Sequence, residues 1–121
     1  MIDLTMMTVS RHFAEDRSAR AETFKEVTAW DGGWGKVVAE RKPDDDVLTK
    51  CLTSKGIVAV VSTEYNIIVT AYLCTIDQAF FIYGGKVPQK VLNRIKKNAD
   101  VYRRVCGINY EEMRKKVKIG G

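Results

Sequence analysis

His12 is the only histidine in the chain, and Arg17 and Arg20 follow it at helical spacing. Farther on, Lys50 stands in one β-like run, and Thr70 and Tyr72 alternate within another. Metal-independent RNA cleavage needs few parts. A base takes the 2′-hydroxyl proton, cations stabilise the crowded phosphorane, and an acid protonates the leaving 5′-oxygen. Histidine titrates near neutral pH and suits the proton work. Arg and Lys suit the charge, and Thr or Tyr can orient a phosphate by hydrogen bonds. His12, Arg17, Thr70 and Tyr72 are therefore the candidate catalytic set. With one histidine, the acid–base pair must recruit Tyr72, Lys50 or Glu15. The plainer reading of a lone histidine is a structural or simple surface residue.

The elements that must position these residues are legible in outline. Ser10 offers an N-cap hydroxyl to a helix running to about Ala29, with Phe13, Arg17, Ala21, Phe24 and Val27 approximating one stripe. No capping box follows, because Phe13 sits three residues on. Trp30-Asp31-Gly32-Gly33 stops it. Lys36–Arg41 and Val47–Thr53 read as strands around the turn Lys42–Asp46. Gly56–Thr75 holds two β-branched runs about a polar break at Ser62–Asn66, a hairpin with a loop. The run Ile57–Val61 is apolar throughout, as in a strand covered on both faces. In the second run, strict alternation sends Ile67, Val69, Ala71 and Leu73 one way and Ile68, Thr70, Tyr72 and Cys74 the other. Thr75 and Gln78 open a short helix that ends at Gly84-Gly85. Pro88 starts a longer one with a buried stripe of Val91, Ile95, Ala99, Tyr102 and Cys106, ended by Gly107. Asn109 with Glu112 caps a last basic segment, Tyr110–Lys118. The expected class is α+β: an N-terminal helix, a four-stranded antiparallel sheet, and two to three C-terminal helices, in one domain over 1–121. Residues 1–8 read as a lead-in or short edge strand and 119–121 as a frayed tail.

Charge is unevenly spread. Residues 86–118 hold 11 Lys/Arg and only three acids, whereas residues 1–85 hold 9 Lys/Arg and 12 acids. That asymmetry directs the C-terminal third toward an anionic partner, nucleic acid first and an acidic protein surface second. Arg20, Lys50, Lys90, Arg94, Lys96, Lys97, Arg103 and Arg104 are the candidate nucleic-acid contacts. The alternative is an ordinary solvated helix surface.

SRHFAEDRSAR at 10–20, together with IIVTAYL at 67–73, resembles the barnase/EndoU/colicin/RelE-like class of small ribonuclease folds. The resemblance covers residues 10–20 and 57–73 through these short anchors. It implies His12 as acid or base, Arg17 and Arg20 as phosphate ligands, and Thr70 and Tyr72 as strand-borne site residues. The function expected on that basis is an RNA-directed protein of phage or toxin type, in its active form a metal-independent endoribonuclease. The rival class is a non-catalytic phage-encoded inhibitor of a bacterial defence complex, anti-CRISPR-like, binding through the basic C-terminal helices. An enzyme should gather His12, Arg17 and Thr70 or Tyr72 into one cleft. An inhibitor should scatter them.

Other motifs carry less. Cys51, Cys74 and Cys106 are odd in number and lack the close spacing of zinc ligands, so reduced, mostly buried thiols are expected. Asp44-Asp45-Asp46 lacks the rest of a calcium loop and reads as a solvated turn. Gly32-Gly33 and Gly35 lack the Lys-Ser/Thr of a phosphate loop. No metal or cofactor is implied. No apolar run approaches the roughly 20 residues that cross a bilayer, and no basic-then-apolar leader opens the chain. A cytoplasmic protein with RNA, a nucleic-acid-binding complex, an antitoxin or a defence protein as partner is the expectation. MIDLTMM leaves Met1, Met6 and Met7 as alternative starts.

Overall fold

The computed structural model describes residues 1–15, 24–28, 33–107 and 110. Five strands make one sheet: β1 (Thr8–Val9), β2 (Val37–Arg41), β3 (Thr49–Thr53), β4 (Ile57–Ser62) and β5 (Ile67–Leu73), in the order β1-β5-β4-β3-β2. The helices are α1 (Arg11–Glu15), α2 (Ile76–Tyr83) and α3 (Gln89–Cys106), with a helical turn over 24–27. The class is α+β. β2 to β5 form the expected antiparallel meander. The expected four-stranded antiparallel sheet is nonetheless incomplete, because β1 adds a parallel fifth strand to β5 through Thr8↔Ile67 and Val9↔Ile68. Two residues are too few to show a period. The lead-in is packed: Leu4 lies in a short 3₁₀ turn and is buried. Of the helix expected over 10–29, the described parts 11–15 and 24–27 are helical, and the remainder lies outside the described residues. So does the basic segment 111–118.

β4 is the centre, with Ile57, Val58, Ala59 and Val61 fully buried, because both faces of the sheet are covered. One layer joins Ile57, Ala59, Val61 and Ile68 to Phe24, Val27, Trp34, Tyr102 and Tyr110, with Phe13 against it. The other joins Val58, Val60 and Leu52 to Ala79, Ile82, Val87 and Ile95, with Tyr72 against it. α2 lies over β2 and β3 in this second layer. α3 serves both layers, through Ile95 in one and Tyr102 in the other. It therefore passes the sheet end made by the β3–β4 turn, where buried Asn98 donates to the Lys55 carbonyl at 2.9 Å.

The alternation expected along β5 is broken. Val60 pairs with Thr70, but Val61 pairs with Ile68, so Val69 is an extra residue, a β-bulge. Past it the faces exchange. Ile68 shares the Ala71–Leu73 face instead of the Thr70–Tyr72 face, and it is completely buried there. The bulge is held from outside: Ser10 N donates to Ile68 O at 2.8 Å, and Ser10 Oγ donates to Val69 O at 2.9 Å.

Candidate nucleic-acid interface

Ser10 also accepts from Phe13 N at 3.2 Å, so one hydroxyl caps α1 and fastens it to the bulged strand. Phe13 then fixes which layer α1 belongs to. Its ring centroid lies 6.3 Å from Phe24, edge-on, and 5.9 Å from Trp34. His12, one residue earlier, is exposed and has no hydrogen bond or ion pair among the described residues. Its neighbour Arg11 pairs with Glu15 at 3.0 Å, a solvent-facing bond worth little. Thr70 and Tyr72 pair across to Val60 and Val58, in the opposite layer. The sheet thus lies between Phe13, which anchors His12's helix, and the strand face bearing Thr70 and Tyr72. Arg17 and Arg20 lie outside the described residues.

Lys50 does share the Thr70 face. The register Arg41↔Lys50, Lys50↔Val60, Val60↔Thr70 sets these four residues in one row across β2, β3, β4 and β5. Phe81 of α2 sits at the cationic end of the row. The Arg41 guanidinium carbon is 4.4 Å from its ring centroid and Lys50 Nζ is 5.5 Å from it. Arg41 Nη1 also donates to Phe81 O at 2.7 Å, one of the terminal carbonyls of α2. Lys50 Nζ reaches Gln78 Oε1 at a long 3.4 Å. Neither cation has an acidic partner among the described residues. Arg41 and Phe81 were not among the expected contacts. Their one sequence signal is the run Phe80–Tyr83, four apolar residues that a helix cannot bury together; Phe80 and Phe81 stay exposed.

The helix α3 carries the larger charge. Ile95, Asn98 and Tyr102 are buried, with Val91, Ala99 and Cys106 half-buried around them. Lys90, Arg94, Lys97 and Arg104 follow at i, i+4, i+7 and i+14 along one flank of the helix, with half-buried Val101 at the intervening i+11 position. Lys96 and Arg103 lie exposed beside it. Asp100 is the only acid of the helix, and it reaches only Arg103, at 3.8 Å and in solvent. Arg94 lies lower than the rest: its stem runs past Gly56, and its Nε is buried with no hydrogen-bond partner among the described residues. Six basic groups against one acid leave the exposed surface of α3 strongly positive, with Lys96 and Arg103 on the far side of Asp100 from the Lys90–Arg104 row.

No family model, curated protein or solved structure matches the chain. Among the described residues no three His, Cys, Asp or Glu side chains gather as a metal site. None of the helices described is long and apolar enough to cross a membrane. Cys51 and Cys74 are buried and Cys106 half-buried, all as free thiols. Burial, and secondarily the Glu40 carboxylate, pushes the Cys51 thiol up to about 12. It is a core residue, not a nucleophile.

Proposed function

We propose that this protein is an RNA-directed binding module whose contact surface is the basic ridge of α3, and that it binds without cleaving. The observation that carries this reading is the ridge of Lys90, Arg94, Lys97 and Arg104 flanked by Lys96 and Arg103, with Asp100 as its only acid. Such a ridge binds a phosphate backbone by releasing condensed counterions, independently of sequence. What favours binding over catalysis is the division of the catalytic candidates between two layers. His12 is exposed on a helix packed by Phe13 against one face, and Thr70 and Tyr72 belong to the other.

The test is fluorescence anisotropy of labelled RNA across a salt series. Affinity should fall steeply with salt and drop on charge reversal at Lys96, Lys97, Arg103 and Arg104, with an unchanged melting midpoint. Salt-insensitive capture of a protein partner, unaffected by these changes, would move the assignment to an inhibitor of a protein complex.

A further inference from the structure

Cross-strand neighbours of like charge destabilise a sheet when nothing stands between them. Arg41 and Lys50 are such a pair, directly opposite on β2 and β3, with no carboxylate on either among the described residues. The Asp44–Asp46 turn lies close in sequence, yet Asp46 accepts from Leu48 N at 3.0 Å and none of the three forms an ion pair with either cation. The two cations converge instead on one partly exposed aromatic ring, Phe81. A ring flanked by positive charge at the open end of a sheet combines the two parts of a single-strand site. The Arg41 guanidinium already covers part of the ring; what stays exposed gives a base a surface to stack on, and the cations hold its phosphates.

The position of this cluster ties it to α3. Arg41 Nη1 bonds the end of α2, and a Cβ placed on Gly84 would stand 3.8 Å from it. Gly84, with φ 72°, turns the chain into Lys86, and Lys90, in the first turn of α3, begins the row four residues farther on. Lys86 and Lys90 are both exposed. The cations therefore follow one another: Lys50 and Arg41 beside Phe81, then Lys86 at the corner, then Lys90, Arg94, Lys97 and Arg104 along α3. From Lys90 to Arg104, α3 extends this track by about 21 Å. The exposed Thr70 hydroxyl continues the row on the other side of Lys50, two strands away, about 10 Å.

We infer that Phe81, with Arg41 and Lys50, is a base-stacking subsite that makes the track selective for single-stranded RNA over duplex. This inference rests on the RNA-binding reading of α3, and the experiment separates the two. Labelled single strands of about 4 to 16 nucleotides and a duplex of the same length are titrated against wild type, Phe81→Leu, Lys50→Gln and the α3 charge-reversal variant. Arg41 is left intact because it holds the end of α2, and each variant's melting midpoint is checked. Phe81→Leu should weaken single-strand binding roughly 5-fold or more, with little effect on the duplex. Lys50→Gln should lower the salt slope for the single strand by about 0.7. If both variants bind like wild type while α3 reversal abolishes binding, the subsite is overturned and the ridge stands. If α3 reversal has no effect, the RNA-binding reading itself falls. Equal losses for strand and duplex on Phe81→Leu overturn stacking, and tighter binding of a DNA strand of the same sequence overturns RNA as the occupant.

Discussion

Asn98 Nδ2 donates to the Lys55 carbonyl at 2.9 Å, and it does so across Gly56, where a Cβ would come within 2.6 Å of that same nitrogen. The contact pins α3 to the β3–β4 turn and so sets the height at which the basic ridge leaves the sheet. It also explains why a polar side chain is buried in a helix whose other buried positions are apolar or aromatic.

Gly56→Ala should therefore cost twice, once for a residue at φ 74° and once for the clash. The sum is about 2–5 kcal/mol. Asn98→Ala should cost about 1–3 kcal/mol through the unpaired carbonyl. Urea unfolding midpoints at constant slope measure both. Losses below about 0.5 kcal/mol would mean that the turn and the helix are not coupled.

Val58→Asp should unfold the domain, whereas Val60→Asp should be milder. Val58 has no exposure, and its neighbour across the ladder on the same face is Leu52. Val60 is 9% exposed and pairs with Lys50, whose ammonium is a neighbouring counter-charge. A buried unpaired carboxylate costs several kcal/mol against a total stability of about 5–15 kcal/mol. Circular dichroism and thermal melts rank the two; equal severity would remove Lys50 from that face.

Alkaline pH should expose the Cys51 environment. Its thiol titrates near 9.0 when free and at about 12 in the fold. Between those values the unfolded chain has lost the proton and the native protein retains it. Stability from this group is full below pH 9 and falls as pH rises, by at most about 1.4 kcal/mol per unit. Burial also raises the Tyr83 hydroxyl, which adds a loss of the same sign. Cys51→Ala should flatten the fall without abolishing it. Parallel pH profiles for the two proteins would show that the thiol is not held neutral by the core.

His12→Ala should leave RNA affinity within about twofold of wild type and stability within about 0.5 kcal/mol, as for an exposed surface side chain. Mixed RNA incubated with wild type and a chelator should stay intact. Cleavage that disappears in the His12 variant, with its melting midpoint unchanged, would restore the catalytic reading.

Much of this architecture was legible because β-branched runs and glycine stops are local signals. Ile57–Val61 announced a doubly covered strand, and Thr75 and Gly84 bounded α2, where Thr75 Oγ1 accepts from Gln78 N. What escaped depends on register. Nothing marks Val69 as a bulge residue, since it is neither Gly nor Pro, yet it decides which side Ile68 occupies. Arg41 and Lys50 become neighbours only once β2 and β3 are aligned, and Phe81 joins them only through tertiary packing of α2. The alternation that grouped Thr70 with Tyr72 was sound. Helical spacing gives no information on which side of the sheet a helix packs, so it could not relate them to His12.

The parallel pairing of β1 with β5 has a consequence in time. The meander from β2 to β5 can close hairpin by hairpin, each step joining short loops. Thr8 must wait for Ile67, on the far side of the whole meander, and for Asn66, whose carbonyl accepts from Thr8 N and whose amide donates to Met6 O. On a ribosome the first strand is thus made first yet can dock only after the last strand of the meander has emerged. Until it arrives, the outer edge of β5 is an open ladder, a template for the wrong strand as well as the right one.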